Sequence, residues 1–126
     1  MQNIKTILIV EDDATILFSL KTKFEAETDI KVVTATDGEL GLHKALNEKP
    51  DLILLDLILP KMLGMDLLRQ LRKDASGKDV PVIIMSNLSE MEDVRGGREL
   101  GVKDYVVKAD WPLDDVVKLV KKYLQL

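Results

Sequence analysis

Asp51-Leu52-Ile53-Leu54-Leu55-Asp56-Leu57-Ile58-Leu59-Pro60 is the stretch whose reading decides the fold. Between its two acids the run is continuously apolar, without alternation, which is the pattern of a strand buried on both faces of a parallel sheet. Thr6-Ile7-Leu8-Ile9-Val10 upstream and Val82-Ile83-Ile84-Met85 downstream read the same way. Lys31 to Ala35 and Tyr105 to Val107 are two further β-branched runs, giving five strands. Amphipathic stretches separate them. The first carries Ile16, Leu17, Leu20 and Phe24 on one face, the second Leu42, Ala45 and Leu46, the third Leu68 and Leu71. The last repeats Leu113, Val116, Val117, Val120 and Leu124 at helical spacing. A fourth helix is predicted from Glu90 to Leu100, with a capping box at Ser89 and Glu92 and with Gly101 ending it. Gly96 and Gly97 weaken its interior by about 1 kcal/mol each relative to alanine. The predicted order is βαβαβαβαβα, and strict alternation implies parallel strands, right-handed crossovers and helices on both faces.

The chain of 126 residues is read as one domain, 1–126, with no output domain after it. Eighteen basic against 22 acidic residues give a net charge of −4, which argues against a nucleic-acid-binding surface. The absence of cysteine excludes disulfides, thiolate catalysis and Cys-based zinc sites. The apolar run ending at Glu11 is too short for a signal peptide or membrane span, so no membrane association and a cytoplasmic location are expected.

In a doubly wound sheet, ligands bind at the carboxyl ends of the strands, near the point where strand order reverses. The first strand ends in Glu11-Asp12-Asp13, the third in Asp56, the fourth in Ser86-Asn87 and the fifth in Lys108. Carboxylates gathered there repel one another unless a cation neutralises them. Hard oxygen ligands without His or Cys select Mg²⁺, or Mn²⁺, over zinc. Lys108 and Ser86 then read as phosphate handlers, and a carboxylate beside a metal and a lysine can attack phosphorus to give an acyl phosphate.

These residues resemble the receiver domain of response regulators in two-component signalling, along essentially the whole chain. The resemblance rests on Ile7 to Asp13, on Leu54 to Pro60 running on to Gly64, on Met85-Ser86 and on Tyr105 to Lys108. Asp56 follows Asp12 by 44 positions, and Ser86 and Lys108 follow Asp56 by 30 and 52. The resemblance implies a flavodoxin-like five-stranded parallel sheet in the order 2-1-3-4-5, flanked by five helices. It implies Asp56 as phosphoacceptor, with Mg²⁺ on Asp12, Asp56 and the Ile58 carbonyl, and Glu11 acting through water. It makes Ser86 the switch hydroxyl, Tyr105 the aromatic that turns inward on activation, and Lys108 the partner of the phosphoryl group. A histidine kinase or histidine phosphotransfer protein would be the donor. A downstream protein would read the face of the fourth helix, fifth strand and fifth helix, through which a monomer or weak dimer is expected. Such a domain is not an enzyme beyond its own phosphoryl transfer and dephosphorylation.

Some positions leave alternatives open. Ala109 stands where the family commonly has proline, so the Lys108–Ala109 bond is either cis or takes a trans path. Apolar Ile58 and Leu88, two positions after Asp56 and Ser86, imply slow loss of the phosphoryl group. Asp13 reads as a helix cap or as part of the acid cluster. Tyr105 reads as edge-strand packing or as the switch aromatic. Trp111 either covers the base of the fifth helix, with Asp110 as cap, or is an exposed anchor. His43 lies on the second helix, away from the strand ends. Pro60 and Gly64 read as turn residues shaping the loop after Asp56. Three rival functions are a receiver that docks without phosphorylation, an aspartyl phosphohydrolase and a flavin carrier. Each is disfavoured, respectively by the complete acid–hydroxyl–lysine set, by Ile58 where a second Asp would stand, and by the lack of a Ser/Thr/Gly-rich loop after the first strand.

Overall fold

Each apolar strand divides its side chains between two separate cores. The computed structural model describes residues 3–87 and 96–126. Its strands are β1 (Lys5–Val10), β2 (Ile30–Ala35), β3 (Leu52–Leu55), β4 (Val82–Ser86) and β5 (Asp104–Val107). They form one parallel sheet in the order β2-β1-β3-β4-β5. The helices are α1 (Ala14–Glu25), α2 (Gly38–Glu48), α3 (Gly64–Lys73), a helical segment α4 at 96–99, and α5 (Leu113–Leu124). Ile7, Ile9, Leu52, Leu54, Ile83 and Met85 face one layer with Leu20 and Phe24 of α1 and Val116 and Val120 of α5. Leu8, Val10, Ile53, Leu55 and Ile84 face the other, with Ala45 of α2 and Leu67, Leu68 and Leu71 of α3. Because neighbouring residues on a strand point to opposite faces, a run apolar throughout is what a two-sided core requires. Each fully buried Leu or Ile contributes roughly 1.5–3 kcal/mol relative to exposure.

The strands match the predicted ones within a residue at each end, and the face residues named for the first, second, third and last helices fall within α1, α2, α3 and α5. Asp51 lies just outside β3, where its Oδ2 accepts the Thr6 N–H at 2.7 Å. The Ser89–Glu92 capping box, the start of the fourth helix and Leu88 lie outside the described residues. Gly101, with φ 76°, takes the left-handed conformation expected after that helix. Gly64 is not a turn residue: it is the first residue of α3, where a Cβ would sit 2.3 Å from the Asp56 carbonyl oxygen. Asp110 does not cap the last helix. It ends a single 3₁₀ turn (Lys108–Asp110), and Pro112 occupies the N-cap of α5, without a side-chain cap bond. A proline there sets the backbone angle, and its carbonyl accepts the Asp115 amide at 3.0 Å.

β1 pairs with β2 on one side and β3 on the other, so strand order reverses between β1 and β3. The Asp56 N–H donates to the Val10 carbonyl at 3.0 Å, carrying this pairing past the end of β3. The loops after β1 and β3 therefore open side by side at the switch point.

Candidate functional site

Glu11, Asp12 and Asp56 converge at that point. Each offers a carboxylate oxygen within 4.8 Å of the others. Asp12 is exposed, whereas Glu11 and Asp56 are only 2% and 6% exposed, so the pocket has a wet mouth and a dry floor. Lys108 lies on that floor: its Nζ is 2.8 Å from Asp56 Oδ2 and 2.5 Å from Glu11 Oε1. The second oxygen of each buried carboxylate accepts a backbone amide. The Ile58 amide donates to Asp56 Oδ1 at 3.2 Å, and the Asp13 amide to Glu11 Oε2 at 3.0 Å. The Lys108–Ala109 peptide is trans, so a trans path positions the ammonium at Asp56.

The electrostatics follow from this packing. Burial pushes the Glu11 carboxyl above the usual range; its bonds to Lys108 and the Asp13 amide oppose that rise, and the charge on Asp56 adds to it. Burial works against the Lys108 charge, but hydrogen bonds and charge from Asp56 and Glu11 outweigh it and hold the amine above its ordinary value. Two buried acids sharing one ammonium, beside an exposed third acid, form an oxygen-only cluster that can hold a divalent cation.

Ser86 is buried at the end of β4, opposite Val107 and hence beside the strand that delivers Lys108. Tyr105 pairs with Ile84 in β5 and packs, half-buried, against the core layer of α2 and α3. The Ile58 side chain is 55% exposed at the rim. Asp13 is the cap of α1: its Oδ1 accepts the Thr15 and Ile16 amides at 2.9 and 3.0 Å. Trp111 covers rather than protrudes. It packs against the α1–α5 core layer and lines a cavity of about 390 Å³ with Ile16, Met85, Val106 and Leu113. His43 is exposed on α2, its carbonyl accepting from Asn47 at 2.7 Å. The direct ion pair between Glu11 and Lys108 did not emerge from the sequence, which had assigned Glu11 a metal-side role. The available signal was that Glu11 directly continues a buried strand, so its side chain enters the interior and needs a cation.

The chain matches the family described as the response regulator receiver domain over residues 7–121, and it belongs to that family. It is 41% identical over 81% of its length to a probable transcriptional regulator ycf27 of Guillardia theta, of which it spans 39%. It spans less than half the length of most of its other curated relatives as well. It is 36% identical to Protein PilH of Pseudomonas aeruginosa, with 86% of this chain and 87% of that protein covered. Its fold superposes on a CheY-like receiver domain protein from Methanospirillum hungatei with a TM-score of 0.87 at 32% identity, covering 97% and 94% of the two chains. Receiver domains are phosphorelay modules of two-component systems whose chemistry is confined to their own phosphoryl transfer and dephosphorylation, and this chain is one of them. Among the described residues, no helix is long and apolar enough to cross a membrane.

Proposed function

We propose that Asp56 is the phosphoacceptor, on the single observation that a buried carboxylate with an ammonium at 2.8 Å adjoins two further carboxylates. An Asp56 carboxylate oxygen forms the new O–P bond. The P–N bond of a phosphohistidine donor breaks, and its electron pair stays on the imidazole nitrogen. Lys108 is placed to meet charge on the arriving phosphoryl oxygens, and the Ile58 amide fixes the carboxylate plane. Mg²⁺, with Mn²⁺ as substitute, would be held by Asp12, Asp56 and the Ile58 carbonyl, with Glu11 through water, and supplies charge neutralisation when bound. Ser86, at the end of the neighbouring strand, is the switch hydroxyl, and Tyr105 the aromatic that reports the change.

The donor is a histidine kinase or histidine phosphotransfer protein in the cytoplasm. The output is contact with a downstream protein through α4, β5 and α5, not with nucleic acid or membrane. The domain acts as a monomer or weak dimer through that face. The test is intact mass after incubation with a small-molecule phosphodonor and Mg²⁺. The parent gains one phosphoryl group, and Asp56→Asn gains none. Uptake by Asp56→Asn equal to the parent's would refute the assignment.

A further inference from the structure

The loop after β3 is pinned from an element that contains none of the acids. Its near end is closed by the Gly64 amide, which donates to the Leu57 carbonyl at 2.9 Å. Its tip is held by the start of α2. The Pro60 carbonyl accepts from both the Gly38 amide, at 3.1 Å, and the Met62 amide, at 2.8 Å. Asp37 caps α2 through the Leu40 amide at 2.8 Å and sets its second oxygen 3.8 Å from Lys61 Nζ. Lys61 itself is held at φ 67°, a left-handed conformation that a lysine keeps only where its surroundings impose it. Gly38 is buried, and a Cβ there would lie 1.9 Å from the Met62 carbonyl oxygen and 2.7 Å from the Met62 carbonyl carbon. Those are backbone atoms, so the loop would have to move.

From this contact we infer that Gly38 is a positioning residue for the acid cluster. By admitting the 60–62 turn against the N-terminus of α2, it fixes the loop whose Ile58 amide orients the Asp56 carboxylate. Gly38 is not left-handed, so its backbone accepts alanine, and at a helix start alanine is the better helix former. A purely local role for Gly38 therefore calls for Gly38→Ala to leave Mg²⁺ affinity unchanged. The buttress role calls for it to disturb a site it does not touch.

The inference rests on the reading of Glu11, Asp12 and Asp56 as a Mg²⁺ site, so the assay measures binding of Mg²⁺ alone to the unphosphorylated chain. Amide resonances of Asp12 and Asp56 are followed through a MgCl₂ titration. Gly38→Ala is expected to bind Mg²⁺ roughly 10–100-fold more weakly, the usual effect of disturbing residues that orient metal ligands. Faster hydrogen exchange at the Ile58 amide should accompany the loss. Gly41→Ala is the matched control. Its Cβ would crowd Val10 and Leu67 side chains from the same helix, at 2.8 and 3.0 Å, without meeting the loop, and Mg²⁺ affinity should hold. Should Gly38→Ala fail to fold, Pro60→Gly, an exposed change that loosens the same turn, is expected to weaken Mg²⁺ in the same direction by a smaller factor. Parent-like Mg²⁺ affinity in whichever variant is measured overturns the buttress. A parent without any Mg²⁺-dependent shift overturns the metal reading as well.

Discussion

Replacing Lys108 by methionine tests the electrostatic account of the pocket most directly. The ammonium is the only cation paired with Glu11 and Asp56 among the described ion pairs, and the three side chains are 11%, 2% and 7% exposed. Methionine keeps the length and removes the charge, leaving two buried acids facing each other. Breaking a buried ion pair by deleting one partner costs about 3–5 kcal/mol. That is a large share of the roughly 5–15 kcal/mol by which domains are stable. For 126 residues, at an unfolding entropy near 2.1 cal/mol/K per residue, it lowers Tm by roughly 10–20 °C. Thermal and urea unfolding of the metal-free protein measure it. Two further arms follow. Asp56→Asn in the Lys108→Met background should restore much of the loss, because one of the opposed charges is gone. Mg²⁺ at about 100 times its Kd adds about 2.7 kcal/mol to any form that binds it, and affinity should be higher in Lys108→Met. A Tm change of only two or three degrees, or an Asp56→Asn effect that adds to the loss, would refute the reasoning.

Smaller perturbations probe the frame around the site. Asp13→Ala should destabilise the domain by about 1 kcal/mol through loss of the α1 cap, while Asp13→Asn stays near the parent in urea unfolding. Arg72 donates to the carbonyls of Leu100, Gly77 and Val80 at 2.7, 3.0 and 2.8 Å, tying α3 to the end of α4 and to the loop before β4. Arg72→Met leaves those part-buried acceptors short of donors and should cost about 1–3 kcal/mol or more, with faster hydrogen exchange at Gly101 and Val102. Lysine cannot reproduce the fork and should recover only part. Hydrogen bonds from the Ser76 hydroxyl and amide hold the Asp74 carboxyl below its ordinary 3.8. That contribution is present above the unfolded value and is lost as pH falls through the folded one. In an NMR titration, Ser76→Ala should move Asp74 upward, toward 3.8.

The fold was legible because its strands are redundant signals: Leu52 to Leu55 are apolar at every position, and only a sheet covered on both faces uses such a run. Four candidate site residues were legible for a related reason, since Glu11, Asp56, Ser86 and Lys108 are each the first polar residue at the carboxyl end of a strand. Contacts made by geometry across the chain were not. Nothing local in Gly38 or Lys61 announces that two loops meet, because the close approach depends on the angle between α2 and the end of β3. Asp110 looked like a cap because Asp often is one, yet it is taken up in the 3₁₀ turn after Val107 and ends two residues short of the N-cap, which falls on Pro112. Glu11 was expected on the metal side from the family resemblance; the structure keeps it in the acid cluster and adds a direct pair with Lys108 that the resemblance did not imply.

The ammonium shared by two acids has a consequence in simple charge counting. With its three carboxylates ionised and Lys108 protonated, the pocket holds two uncompensated negative charges. A doubly charged ion brings that total to zero, whereas potassium or sodium leaves a residual negative potential. Discrimination against the abundant monovalent ions of a cell is thus written into the number of charges, before cavity size or coordination geometry contributes anything.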